Sequence, residues 1–364
     1  MGEGQAASLS AQLQQRIRAA IAVNGGWLPF DRFMGMALYE PGLGYYAKRS
    51  RKFGQMPGSG SDFVTAPEMS PLFGRALAVQ VTQALQACDC AEIWEFGAGS
   101  GALAAQLLAG LGHRVGAYHV VELSAALRER QALHLQAWAG RVRWHERLPE
   151  RIDGVLLGNE VLDAMPVQLL HWDGKNWFER GVAAADAAFV WQDRPTPLRP
   201  PASNFAPGSV VEIHPQAEAF VRTLARHMGR AAAFFIDYGF PEAEYYHPQR
   251  TGGTLMCHRS HRSDADPLVD LGLKDITAHL NFTGLALVAQ DAGLEVLGYT
   301  SQARFLLNCG LAGMLQDAAL PERIAAQRLI HEHEMGELFK VLGLARGISL
   351  DALGFSSGDR SHRL

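Results

Sequence analysis

The residues with the clearest chemical consequence lie in the run EFGAGSGALA, residues 95–104, and at Glu122, near the end of the apolar stretch YHVVEL. Gly97, Gly99 and Gly101 punctuate a turn between a short apolar segment (Ile93, Trp94, Phe96) and a periodic one (Leu103, Leu107, Leu108), the pattern of a strand running into a helix. Glycine accepts φ > 0 and has no Cβ, so such a turn, with Ala98 inside it, brings bare N–H groups of a helix N-terminus against a ligand. Glu122, followed by Leu123, falls where a doubly wound sheet holds ribose hydroxyls, at the tip of the next parallel strand. These residues point to a nucleoside-containing cofactor.

Gly97, Gly99 and Ala102 also satisfy the loose dinucleotide pattern G-x-G-x-x-G/A, so the choice of cofactor rests on charge. Glu95 stands directly before the turn, where a carboxylate repels a pyrophosphate but attracts a cationic aminoacyl sulfonium. The segment LLGNEVLDAMP, residues 156–166, adds Asn159 and Glu160 at another strand end. Acids at several strand tips suit S-adenosyl-L-methionine better than a nicotinamide dinucleotide. The competing account, a plain packing turn, leaves the acid-glycine-acid combination unexplained.

Bringing these groups together requires a parallel sheet. Strands are expected near residues 92–97, 117–122, 142–147, 153–159 and 231–238, with amphipathic helices after the first two; such alternation gives an α/β, Rossmann-like fold whose ligands bind at the carboxyl ends of the strands. Before the sheet, helices are expected at 9–23, 29–38 and 70–88, the last capped by Ser70 and opened by Pro71. The aperiodic loop from Glu40 to Pro67, with Tyr45, Tyr46, Lys48, Arg49, Arg51 and Lys52, reads as a lid. VQLLHWDGKNWFERGV, turning at Asp173 and Gly174 and extended by AFVWQD, reads as an inserted β-hairpin. A proline-rich excursion from Pro195 to Pro207 and a helix near 215–228 follow it. The expected division is an N-terminal helical and lid region (1–90), a core (91–165 and 230–364) and an inserted hairpin-and-helix substrate region (166–229).

In this order the motifs EPGLGYY, SDFVTAPEMSPLFGR, EFGAGSGALA, GNEVLDAMPV, IDYGF, GTLMCH, DITAHLNFTGL and ELFKVLGL run from about residue 28 to about residue 345. With them the chain resembles the MidA family of S-adenosylmethionine-dependent methyltransferases, which includes a mitochondrial arginine methyltransferase that assists assembly of respiratory complex I. Asn281, where the family usually has an acid, and Met256 with Cys257 depart from the pattern. The resemblance implies a class I methyltransferase fold with a seven-stranded, mostly parallel sheet closed by the antiparallel FKVLGLAR, and it implies arginine on a partner protein as the acceptor. It also implies that Glu68 contacts the cofactor, together with Glu95, Gly97, Ala98, Gly99, Gly101, Glu122, Leu123 and Asn159. A guanidinium has a pKa above 12, so carboxylates are needed to orient it and concentrate lone-pair character on one nitrogen. Glu160 and Asp163 are the catalytic candidates, Asp163 having a helix cap as its competing role. Tyr45, Tyr46, Asp237 and Tyr238 are expected to line the acceptor side.

Composition limits the remaining classes. The chain has 364 residues, 48% of them hydrophobic, and a formal charge of −4 without a Lys/Arg run, which offers no field for nucleic acid. Cys88, Cys90, Cys257 and Cys309 form no C-x-x-C pair and read as reduced thiols. No metal is expected: HEHEM (His331 to Met335) is not H-E-x-x-H, and His258 with His261 lack an accompanying acidic motif. His119 and His214 read as packing residues. No apolar span suits a membrane, and the opening residues lack signal or transit character, so cytoplasm is the expected location. An apolar stripe on the hairpin would support a homodimer. Two other functions stay open on the sequence, a NAD(P)-dependent oxidoreductase and a cofactor-binding assembly chaperone without catalysis.

Overall fold

The computed structural model describes residues 3–47, 64–186, 188–259 and 262–364. The expected lid residues Lys48, Arg49, Arg51 and Lys52, with the rest of the segment to residue 63, and His261 lie outside the described residues.

The chain begins with α1 (Glu3–Val23), β1 (Leu28–Pro29), α2 (Phe30–Tyr39), α3 (Ala66–Met69) and α4 (Pro71–Cys88). Ser70 caps α4 as expected: its side chain accepts from Leu72 N–H, and Pro71 occupies the first turn, where no N–H is missed. Alternation then sets in with β2 (Glu92–Phe96), α5 (Ala102–Leu111), β3 (Ala117–Val121), α6 (Ala125–His134), β4 (Val142–His145) and β5 (Ile152–Asn159). The insertion comprises β6 (Gln168–Trp172), β7 (Trp177–Ala185), β8 (Ala188–Pro195) and β9 (Val210–Ile213), followed by α7 (Pro215–His227). The rest is β10 (Met228–Phe240), α8 (Glu242–Tyr245), β11 (Met256–Arg259), β12 (Arg262–Asp264), β13 (Asp275–Thr277), β14 (Leu280–Asn281), α9 (Phe282–Asp291), β15 (Glu295–Ser301), α10 (Gln302–Asn308), α11 (Leu311–Asp317), α12 (Leu320–Ile330) and β16 (Phe339–Arg346).

The main sheet runs β15-β16-β10-β5-β2-β3-β4, with β14 paired to β10 off that path. All its neighbours are parallel except those of β16, which is antiparallel to both β10 and β15. This is the expected class I methyltransferase arrangement. Strands β5 and β10 read as nearly continuous apolar runs because both sheet faces are covered. One face packs Phe73 and Leu77 of α4, Leu107 of α5, and Phe305 of α10. The other packs Val221 and Leu224 of α7 with Leu285 of α9. Each such fully buried Leu or Phe contributes about 1.5–3 kcal/mol.

Helix α7 packs on the main sheet, in the connection between β5 and β10. Strand β9 was not legible: the prolines before it read as an excursion, yet Val210 to Ile213 pair with β6. The hairpin's apolar stripe is largely covered within the chain, Phe33 of α2 lying edge-on to Phe189 and Phe30 against Trp191. What stays exposed is Val190 (39%) and Trp191 (36%). Among the described residues, no helix is long and apolar enough to cross a membrane.

Candidate active site

A cavity of about 1350 Å³ opens at the carboxyl ends of β2, β3 and β5. Typical ligand pockets hold about 300–1,000 Å³, so this one has space for more than a single nucleoside.

Its first end is built by the glycine turn. Gly97, Gly99 and Gly101 adopt φ of +60°, +54° and +85°, a region costly for any residue with a Cβ. Gly101 caps α5, whose first N–H groups have no intrahelical partner. Glu95 is 3% exposed and accepts a bond from Tyr118 Oη at 2.7 Å; burial pushes its pKa up to about 7. Glu122 accepts from Ser124 N–H (2.9 Å) and Gln131 Nε2 (3.3 Å), and burial raises its pKa. Leu123, 75% exposed, lies on the wall with Val121, Leu127 and Leu148.

Gln131 is a residue that sequence reasoning missed. It is fully buried, donates to both Gly99 O (3.1 Å) and Glu122, and is itself held by Trp144 Nε1 (3.0 Å). One amide thus fixes the turn and the second acid together. Its only signal was a polar residue on the inner side of an amphipathic helix.

The second end begins where β5 stops. Asn159 Nδ2 donates to Glu160 Oε1 (2.9 Å), while Asn159 Oδ1 is buried without a partner among the described residues. Glu160 adopts φ +54°, and Ala66 N–H reaches its carboxylate from α3. Burial first, then Asp237, pushes the Glu160 pKa up to about 8. Asp163, 6% exposed, is raised well above the usual carboxylate range by burial and by Asp237, Asp275 and Glu160. From α2, Tyr39 stacks on Tyr46 (centroids 5.6 Å apart) and donates to Ala164 O at 2.8 Å, and Tyr46 Oη donates to Asp275 Oδ2 at 2.7 Å. Tyr39 was missed because it ends a helix whose other aromatic residues are core.

Among the expected site residues, Glu95, Gly97, Ala98, Gly99, Glu122, Leu123, Asn159, Glu160 and Tyr46 line the cavity. Six others stand behind its wall: Glu68, Gly101, Tyr45, Asp163, Asp237 and Tyr238. Tyr45 is 2% exposed and lies edge-on to Tyr46. Tyr238 stacks on His279 (centroids 5.6 Å apart) and packs at 3.9 Å on Phe339, so its ring is spent on packing. Asp237 is 1% exposed and bonds only backbone in the contacts described. His119 and His214 are packing residues as expected, bonded to His145 and Tyr245. Asn281 caps α9 through Gly284 N–H and donates to Glu242; an acid there would oppose Glu242.

The first end fits an aminoacyl sulfonium nucleoside by its donor set. Glu95 suits an ammonium, the α5 N-terminus a carboxylate, Glu122 a hydroxyl pair, the apolar wall an aromatic base, and the orphaned Asn159 Oδ1 a further donor.

Comparison with known proteins agrees. The family model of S-adenosyl-L-methionine-dependent methyltransferases matches residues 76–300. The mitochondrial protein arginine methyltransferase NDUFAF7 homolog of Drosophila melanogaster is 27% identical, the alignment covering 92% of this chain and 85% of that protein. The Danio rerio protein arginine methyltransferase NDUFAF7, mitochondrial, is 26% identical over 93% of this chain and 89% of its own. A COG1565 superfamily member from Burkholderia thailandensis, crystallised with S-adenosyl-homocysteine, is 48% identical and superposes with a TM-score of 0.95, covering 100% of this chain and 99% of that one. The expected cytoplasmic location is overturned by the animal relatives, which are mitochondrial by name.

Proposed function

Because the chain belongs to the family of S-adenosyl-L-methionine-dependent methyltransferases, we propose that it transfers the methyl group to an arginine side chain of a partner protein. When bound, the cofactor supplies a methyl group activated on a sulfonium. The observation that carries the arginine reading is the crowd of buried carboxylates at the second end: among the described ion pairs none contains Glu160, Asp163 or Asp237. Such a group of acids is costly to ionise together and favours the arrival of a cation. The animal relatives bear the matching name.

In this reading Glu160 is the catalytic residue. Its carboxylate lies on the cavity wall, orients the guanidinium, concentrates lone-pair character on the nitrogen that receives the methyl group, and accepts the proton which that nitrogen gives up as the N–C bond forms and S-adenosylhomocysteine leaves. Asp163, from behind the wall, makes the site more negative and acts through Glu160. Tyr39 and Tyr46 offer an aromatic wall to the planar cation. The cofactor half takes Glu95, Glu122, Asn159 and the glycine turn, with Glu68 supporting through its charge beside Glu160. A division by packing would place α4 and α7 with the core and confine the substrate insertion to β6–β9. A homodimer, if it forms through the hairpin, would use Val190 and Trp191, the exposed large apolar side chains among the described residues there, and sedimentation would detect it.

The test is incubation of cell extract with cofactor labelled on the methyl group. A labelled protein band is expected, with methylarginine on hydrolysis, and its loss with Glu160→Gln. A labelled lysine or no label from the intact enzyme would refute the reading, and an unlabelled but S-adenosylhomocysteine-binding protein would favour the assembly chaperone.

A further inference from the structure

Resting on that reading of Glu160, we infer that Asp237 is the positioning residue of the acceptor site, holding the backbone after β5 so that Glu160 projects into the cavity. The ladder between β5 and β10 ends with Asn159 opposite Ile236, and Glu160 N–H extends it by one bond to Ile236 O at 2.9 Å. Beyond that point the next three N–H groups have no strand to pair with. They converge instead on one oxygen: Asp237 Oδ2 accepts from Val161 (3.2 Å), Leu162 (2.9 Å) and Asp163 (3.3 Å). Asp237 Oδ1 takes Tyr238 N–H at 2.9 Å. One carboxylate thus closes a nest of backbone donors, a task for which a full negative charge is well suited.

The consequence falls on Glu160. A glutamate at φ +54° persists only where its surroundings over-determine it. Here the turn is pinned on one side by Ile236 O and on the other by Asp237. Without the Asp237 charge an oxygen is still there to accept, but three N–H groups lose their charged partner, and the turn can relax and withdraw Glu160 from the wall. Asp237 itself does not line the cavity, so it acts through Glu160 and does not bind substrate.

Asp237 also acts electrostatically. Among the described residues, the charged or titratable groups around Glu160 are Asp237 on β10, Glu68 on α3, Asp163 on its own turn, and Tyr238. After burial, Asp237 is the largest cause raising the Glu160 pKa, so neutralising it moves the Glu160 titration to lower pH.

The experiment compares the intact chain with Asp237→Asn. Turnover is expected to fall by about a hundredfold, the cost of roughly 1 Å of misplacement, while S-adenosylhomocysteine affinity by calorimetry stays within about threefold. The acid limb of the pH–rate profile should move to lower pH, which a merely structural bond would not do. Unchanged turnover with an unmoved limb would overturn the inference. If the variant does not fold, amide hydrogen exchange on the unmodified enzyme decides: Val161, Leu162 and Asp163 should be protected, and rapid exchange there would overturn the inference. The failures separate cleanly. An enzyme that methylates no arginine sinks the proposed function and leaves the exchange result standing, whereas full activity in Asp237→Asn beside a dead Glu160→Gln sinks only the positioning role.

Discussion

At the glycine-turn end of the cavity each acid is tied by neutral donors: Tyr118 bonds Glu95, and Ser124 N–H with Gln131 bonds Glu122. At the other end Glu160, Asp163 and Asp237 crowd together, each made harder to ionise by burial, and the first two also by Asp237. Both ends are acidic, but the first is a set of individually satisfied contacts that matches the separate polar groups of one ligand. The second is an unbalanced field whose cheapest partner is a single diffuse cation. Individually bonded acids match a ligand's separate polar groups one by one, whereas a crowd of buried acids is costly to ionise until a cation enters. The contrast makes the two ends separable by mutation.

The largest effect is expected from Gly99→Val. A β-branched side chain resists φ +54° and fills space that the ligand needs, so S-adenosylhomocysteine binding should vanish in calorimetry and catalysis with it. Undiminished affinity would reduce the turn to a packing device. Glu160→Gln sharpens the contrast from the other side. Turnover should drop by about 10²–10³-fold, the usual cost of removing one preorganised electrostatic contact, with cofactor affinity nearly unchanged. A parallel loss of S-adenosylhomocysteine binding would show that the two ends are not independent. A smaller effect is expected for Glu122→Ala. Losing hydrogen bonds to one charged group costs about 1.5–3 kcal/mol, or roughly 10–100-fold in Kd, while kcat at saturating cofactor stays close to that of the unmodified enzyme.

The same contrast explains what the sequence revealed. The cofactor end is local: Glu95 to Glu122 span one strand, one helix and the next strand, so chain spacing is nearly spatial spacing. The other end is assembled from α2, β5, β10 and β13, and Asp237 meets Leu162 across 75 positions of sequence. Residue types there announced acidity but not which acid faces the cavity. That depends on backbone: Glu160 looks in because its φ is positive, and Asp163 and Asp237 do not line the wall. Tyr39 and Gln131 were hidden for a related reason, since periodicity assigns them to helices without saying what the far side of the helix covers. Strand β9 was masked by the prolines before it, and chain order alone does not reveal that the apolar face of α7 packs on the main sheet.

The smallest predicted effect concerns pH and stability without ligand. Burial holds the pKa of Glu95 at about 7 and of Glu160 at about 8, above the ordinary 4.5. A carboxyl whose pKa is raised by folding binds its proton more tightly in the folded state, so its contribution is full below the unfolded value and is lost as pH climbs through the folded one. His119, His214 and His279 have the opposite dependence, their pKa values lowered by burial to about 4, so their contribution grows from about pH 4 and levels off only about one unit above the unfolded value of 6.5. The window from about pH 7.5 to 8.5 therefore isolates the acids, among them Asp163 and Asp237, which burial also raises. Scanning calorimetry there should show the ligand-free protein losing stability as pH rises, with Glu160 responsible for at most about 1 kcal/mol. Glu160→Gln should reduce that decline, whereas S-adenosylhomocysteine, whose ammonium would meet Glu95, should offset the part due to Glu95. An equal slope in the variant and the unmodified chain would mean that Glu160 is ionised without penalty, and the acceptor end would then be no different in kind from the cofactor end.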